Sequence, residues 1–466
     1  MRKRKRAGRG GVIVGAAAAL SACGAVGVAQ AQEYAIIDIG HLGNPHTVTA
    51  RGINNSGMCT GWSRYIPGED ARTHTFRWIN GVMEDVGWNA GCCDSNGRDI
   101  NELNEVIGHA VWDGLSVPTF WDAAGNPFEV PNFQPAYGGD QAMNNLGEWV
   151  GDASFTGFGG DRVAVLYQDG QLIKLGGLGG PRSSAQGIND ATVVVGYADD
   201  VNQHDIAFRW EDGVMSALPG MSSNQDDAAL AINEAGEITG TVRDEGGDYH
   251  TALWDSAGTL HILEQNPGAT DSNGASINER GDVLGLIKIN GEWDGAIWTA
   301  EGEEILFSEV LPPNHKWTID IPWDINDIGM ICGQGNYPPY TGLFDMRGFV
   351  MVPVTPAISL AQPVPGLAGR RNTLTASGVT PGREVYFVYG LVGGGSVIPG
   401  CDLAETLAAT QIESAKIIGS ATANAQGVAS LQVNVPNAAR NAGDVLIQAV
   451  IPGDCKISNL VVEVFE

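Results

Sequence analysis

Apolar and polar positions along this chain recur with a period near 45 residues. Each period opens on an apolar residue followed by Asn, then turn residues, a second apolar run and a Gly. The first copies read Ile53-Asn54-Asn55-Ser56-Gly57, Ile100-Asn101, Met143-Asn144-Asn145-Leu146-Gly147 and Ile188-Asn189. Ile232-Asn233-Glu234-Ala235-Gly236, Ile277-Asn278-Glu279-Arg280-Gly281 and Ile325-Asn326-Asp327-Ile328-Gly329 follow. Successive motif asparagines are 47, 43, 45, 44, 45 and 48 residues apart. A second Gly follows at Gly61, Gly108, Gly151, Gly196, Gly240, Gly285 and Gly333. A period of 40–50 residues marks a repeat architecture.

The rest of each period is also patterned. Aromatic-rich runs such as Phe76-Arg77-Trp78, Phe120-Trp121, Phe208-Arg209-Trp210, Leu253-Trp254 and Ile297-Trp298 read as strands. Asn80-Gly81, Asp169-Gly170 and Asp212-Gly213 then predict tight hairpins, because both central positions need positive φ. A further apolar run ends the repeat. Four turn signals in 45 residues leave room for strands of 4–8 residues and little for helix. Each repeat therefore reads as four strands: the first ends in Ile-Asn, the second ends near the later Gly, and the third carries the aromatic residues. Four short strands per repeat is the blade of a β-propeller. The seventh repeat stops near Pro353 without a fourth strand, whereas 34–40 resembles the fourth strands of the other repeats. The N-terminal strand is thus expected to complete the last blade and hide two open sheet edges. The fold expected is all-β: a seven-bladed β-propeller over 33–353, a linker over 354–369, and a small Ig-like β-sandwich over 370–466. Strands are expected in this last part near 383–389, 428–435, 444–450 and 459–465. Residues 402–418 are its one helix candidate, with 411–418 reading equally as strand.

Composition adds an address. Six of the 26 Lys and Arg residues lie within residues 2–9, an apolar run of small residues extends to about Ala29, and Ala29-Gln30-Ala31 has a small-x-small cleavage pattern. This is a secretory signal peptide over 1–31. Leu20-Ser21-Ala22-Cys23 also has the form of a lipobox, so a lipid anchor at Cys23 stands as the alternative to cleavage after Ala31. The expected location is extracellular, cell-surface or periplasmic, with no later segment apolar enough to span a membrane. The formal charge of −28 becomes −34 when the six basic residues and no acidic ones leave with the signal. Such a surface repels nucleic acid and anionic lipid and leaves a protein or a glycan as the partner. Glycine numbers 65, a surplus placed mainly in the recurrent turns.

Six cysteines follow the signal. Cys401 and Cys455 stand alone in the C-terminal part and are the expected disulfide. The pairing of Cys59, Cys92, Cys93 and Cys332 is open. No nucleophile elbow, zinc-protease motif, P-loop or dinucleotide fingerprint is present. Asp94-Ser95-Asn96-Gly97 and Asp271-Ser272-Asn273-Gly274 lack the remainder of a calcium loop and read as turns. The eight histidines have no metal-ligand spacing. No catalytic, cofactor or metal-binding residue is assigned. The repeated Asn reads as a turn former and the repeated Trp as packing between blades.

His74-Thr75-Phe76-Arg77-Trp78, Ile206-Ala207-Phe208-Arg209-Trp210 and the run from Leu175 through Gly180 into Ala185-Gln186-Gly187-Ile188-Asn189-Asp190 resemble the bacterial extracellular HAF-repeat family, over residues 34–353. The resemblance implies a secreted repeat protein and transfers no catalytic residue. The C-terminal part resembles Ig-like modules of secreted planctomycete-type proteins. Two functions follow as expectations: a non-enzymatic binding or scaffold protein at the cell exterior, or a carbohydrate-active or other hydrolase with its site at the central channel. Acidic pairs such as Asp226-Asp227 and Asp199-Asp200 would serve the second.

Overall fold

A computed structural model of the protein describes residues 32–466 except 44–46, 66–71, 88–93, 113–114, 130–135, 139–141, 156–159, 223–225 and 339–345. The segment expected as a signal peptide, with Cys23, and Cys92 and Cys93 lie outside the described residues.

The chain is all-β, and its repeats are antiparallel sheets in which consecutive strands are neighbours. The first comprises Val48–Ile53, Cys59–Arg64, Thr73–Ile79 and Val82–Asp85. Equivalent sheets start at Ser95–Ile100, Ser183–Ile188, Ala228–Ile232 and Ala269–Ile277. The third has its inner strand in two pieces, Ala136–Gly138 and Ala142–Met143. The last sheet joins Thr318–Ile325, Ile331–Asn336 and Met346–Val354 to Glu33–Asp38, the start of the described chain. Glu33–Asp38 runs antiparallel to Met346–Val354, with Tyr34 opposite Pro353 and Asp38 opposite Phe349. The N-terminal strand therefore supplies the missing fourth strand.

Local chemistry explains these elements. Asn80-Gly81, Asp169-Gly170 and Asp212-Gly213 have φ of 50° and 86°, 52° and 75°, and 51° and 84°. Positive φ at both positions twists the hairpin with the same hand as its strands. In the first six sheets the residue five after the motif Asn faces the third-strand aromatic, as with Cys59 opposite Trp78, Val106 opposite Trp121 and Ile238 opposite Trp254; in the last sheet Ile331 faces Met351 instead. Trp78, Trp121, Trp254 and Trp298 are at most 2% exposed. They lie in apolar clusters, and Trp254 shares its cluster with Val195, Ala207 and Leu218 of the preceding sheet. Stacking the sheets side by side is what buries these rings.

The second Gly corrects the sequence reading. It lies within the second strand, not at its end: Gly240 pairs with Ala229 on one side and Ala252 on the other. A β-bulge in the inner strand, between Ala229 and Ala231, brings the carbonyl of Ala228 within 1.9 Å of where a Cβ on Gly240 would stand. Gly61, Gly108, Gly196 and Gly285 meet the same obstacle at 1.9, 2.1, 2.0 and 1.8 Å. The bulge forces a backbone approach that no side chain survives.

The C-terminal part places Arg371–Ser377 between Ser359–Leu360 and Ala429–Asn434. A second sheet is ordered Lys416–Thr422, Glu384–Gly390, Val445–Ile451, Lys456–Ile457. An apolar cluster including Leu374, Phe387, Ile447 and Ile451 draws on both sheets. Ser359–Leu360 comes from the stretch expected as linker. The helix candidate shrinks to Leu403–Thr406, capped by Asp402, and Ala409–Ile412 is strand. This part packs on the first and last repeat sheets through a shared core that includes Ile37, Trp78, Leu403, Ile412 and Val450. Asn80 accepts from the Leu403 N–H at 2.9 Å, and Gln411 donates to Glu33 at 3.0 Å. Cys401 and Cys455 are joined by a disulfide, with Cα atoms 5.6 Å apart.

Candidate functional site

The motif asparagines build the site. In all seven sheets the side-chain oxygen of Asn accepts the N–H of the residue four positions later, closing its own turn. The side-chain N–H₂ of the same residue donates to the backbone carbonyl of the next repeat's Asn. The circuit runs Asn54 to Asn101 (2.9 Å), Asn101 to Asn144 (3.3 Å), Asn144 to Asn189 (3.0 Å) and Asn189 to Asn233 (3.1 Å). It continues from Asn233 to Asn278 (3.2 Å) and Asn278 to Asn326 (3.1 Å), and closes from Asn326 to Asn54 (2.9 Å). Every member is buried, 2–5% exposed. A buried amide with both ends bonded has its desolvation cost offset, and an aliphatic residue here would leave the turn N–H and the neighbouring carbonyl unpaired.

A second circuit lies one residue further along the chain. The N–H groups of Asn55, Glu102, Asn145, Asp190, Glu234, Glu279 and Asp327 each donate to the side chain of the next member, at 2.8–3.0 Å, and Asp327 returns to Asn55. Five of the seven side chains are carboxylates. Burial pushes up the pKa values of Glu102, Glu234 and Glu279, and the negative charge of Asp327 adds to this at Glu102 and Glu279. The donated N–H groups oppose it. This collar was legible as a pattern: all seven repeats carry Asn, Asp or Glu after the motif Asn.

Five members of the collar, Glu102, Asn145, Asp190, Glu234 and Glu279, line a cavity of about 350 Å³. Its walls are the bulged residues of the inner strands, among them Arg51, Arg98, Gln186, Leu230, Ala275 and Trp323. The Arg51 guanidinium stacks 3.7 Å from the centre of the Trp323 ring. Trp62 lies 5.3 Å from the Arg98 guanidinium. Asp99 and Asp324 also line the cavity. Asp99 accepts from the Met143 and Ile100 N–H groups, both at 2.8 Å. Asp324 accepts from the Ile53 N–H at 2.9 Å and the Ser276 hydroxyl at 2.6 Å. Burial, with the negative charge of Asp324 nearby, raises the pKa of Asp99 to about 7.

The residues weighed from sequence fall elsewhere. The runs beginning at Asp94 and Asp271 are strand, not turn: Ser95 and Ser272 accept the Thr75 and Thr251 N–H groups of the preceding sheets. Asp226 and Asp199 are paired with Arg243 and Arg182 and do not line the cavity. Among the described residues no His, Cys, Asp and Glu group has the arrangement of a metal site, and no helix is long and apolar enough to cross a membrane.

No family model matches the chain, and comparison with curated proteins finds no match. Solved structures similar to it are β-propeller proteins at low identity. The β-propeller domain of the Trilobed protease from Pyrococcus furiosus is 11% identical, with 66% of this chain and 94% of that one covered and a TM-score of 0.44. Virginiamycin B lyase from Staphylococcus aureus is 11% identical, with 69% and 100% covered and a TM-score of 0.43. TolB from Acinetobacter baumannii is 15% identical, with 49% and 58% covered and a TM-score of 0.37. The expectation that the chain is not an enzyme does not stand. Solved structures similar to it include a lyase and a gluconolactonase, each 11% identical.

Proposed function

We propose that the protein is an exported, seven-bladed β-propeller of the HAF-repeat kind with a C-terminal β-sandwich, and that it binds a protein or glycan at the collared mouth of its central channel. The observation that carries this reading is the cavity itself. Seven repeats converge on one concave surface that combines the Glu102, Asp190, Glu234 and Glu279 carboxylates of the collar, the Arg51 and Arg98 guanidiniums and the Trp323 ring. Convergent polar groups with an aromatic platform are what a binding pocket offers a polar ligand. The mature charge of −34 favours a neutral or cationic partner. The test is a glycan and basic-peptide binding screen on the secreted chain, repeated on Trp323→Ala and Arg51→Ala. Binding lost in both variants, with folding intact, supports the reading; binding unchanged in both removes it.

The same cavity carries a second reading as a catalytic site. Asp99 sits in its wall with a pKa of about 7, where a carboxyl group serves as a general acid near neutral pH. Product analysis in the same screen separates the two: turnover abolished by Asp99→Asn supports catalysis, and binding without turnover supports recognition alone.

A further inference from the structure

The packing of neighbouring sheets follows one register. The side chain five residues after the motif Asn meets, in the preceding sheet, the side chain six residues after its Asn. Trp149 shares a buried cluster with Ile107, Val194 with Val150, Ile238 with Val195, and Ile331 with Leu284. Where the first sheet meets the last, this register brings Cys59 against Cys332. Both are fully buried in one cluster, and among the described residues these are the two free cysteines. The surrounding backbone holds them in place. Cys59 pairs with Ile53 and Cys332 with Asp324, and the Ile53 N–H donates to Asp324 at 2.9 Å. Two thiols thus face each other at the one junction that joins sequence-distant ends of the ring.

We propose that Cys59 and Cys332 form an oxidisable pair, closed to a disulfide by a small-molecule or protein disulfide while the ring assembles, which fastens the last sheet to the first. One thiolate attacks the oxidant's disulfide and releases one oxidant thiol. The other thiolate then displaces the second, forming the Cys59–Cys332 bond. Two protons leave the cysteines and the oxidant takes up two electrons. Burial and the neighbouring Cys59 thiol push the pKa of Cys332 up, so the closed, reduced pair is a poor nucleophile. Oxidation therefore belongs to the open ring, before the seam packs. The inference does not depend on what the channel binds.

The experiment is to refold the full chain in a mixture of oxidised and reduced glutathione, alkylate the remaining thiols under denaturing conditions, and map disulfides by mass spectrometry. A peptide pair joining Cys59 to Cys332 is expected beside the pair joining Cys401 to Cys455. Cys59 and Cys332 recovered alkylated, or joined to other cysteines, once Cys401–Cys455 has formed, overturns the proposal. The Cys59→Ala, Cys332→Ala double variant, oxidised in the same way, is expected to melt about 5 °C below the parent. Equal midpoints overturn the fastening role even if the bond is mapped.

Discussion

The side-chain amide of Asn326 donates to the backbone carbonyl of Asn54 at 2.9 Å, across 272 residues of sequence. This bond closes a circuit of seven, and each member satisfies a turn in its own sheet and a carbonyl in the next. The asparagines are therefore expected to act as fasteners as well as turn formers. Asn278→Ala leaves the Arg280 and Asp282 N–H groups and the Asn326 carbonyl without their partner. The expected loss is about 3 kcal/mol, measured by urea unfolding. A loss below about 1 kcal/mol would show that water replaces the amide at little cost.

Gly240→Ala is expected to cost at least about 3 kcal/mol, because its Cβ would lie 1.9 Å from the Ala228 carbonyl oxygen. Gly213→Ala, at an open hairpin with φ of 84°, meets no atom within 4 Å and is expected to cost about 1 kcal/mol through its backbone conformation alone. Paired melts of the two variants check the contrast.

Trp254→Ala removes a fully buried ring whose Nε1–H donates to the Pro219 carbonyl at 2.8 Å. It is expected to lose about 3–5 kcal/mol. Val82→Ala, 67% exposed on an outer strand, is expected to change stability by less than about 0.5 kcal/mol. Similar effects from both would place the tryptophans outside the packing between sheets.

Stability should fall as pH rises from about 4 to 7. Asp99 has its pKa raised to about 7 and Asp227 to about 6, chiefly by burial. In that window the folded chain holds protons that the unfolded chain has released, so each further rise in pH favours unfolding. Asp122, Asp200 and Asp244, held below the usual range by hydrogen bonds, act in the opposite sense only at lower pH. Urea midpoints between pH 5.5 and 8 are expected to decline, and the decline should flatten in Asp99→Asn. An unchanged slope in that variant would assign it to other groups.

Deleting residues 33–40 removes the strand paired with Met346–Val354. The edge of Met346–Val354 is then exposed, and a lower melting midpoint with self-association in solution is expected. A deletion variant as stable and as monomeric as the parent would show that the closing strand is dispensable.

Sequence alone determined the repeat, its four-strand plan, the type of its hairpins and the supply of the last outer strand from the N-terminus. These rest on short-range physics: the alternation of strands, positive φ at Asn-Gly and Asp-Gly, and an apolar phase that recurs every 45 residues or so. Tertiary structure decided what neighbouring sheets do to one another. The second Gly looked like a strand end because its obstacle, the Ala228 carbonyl at Gly240, comes from a bulge in the paired strand. The residue after the motif Asn is Asn, Asp or Glu in every repeat, but its role, accepting the previous repeat's N–H, appears only once the sheets stand side by side. Cys59 and Cys332 looked like two of four unassigned thiols until the ring placed the first sheet against the last. Those partners stand dozens to hundreds of residues apart, and only the closure of the sheets into a ring gives such separations a contact distance.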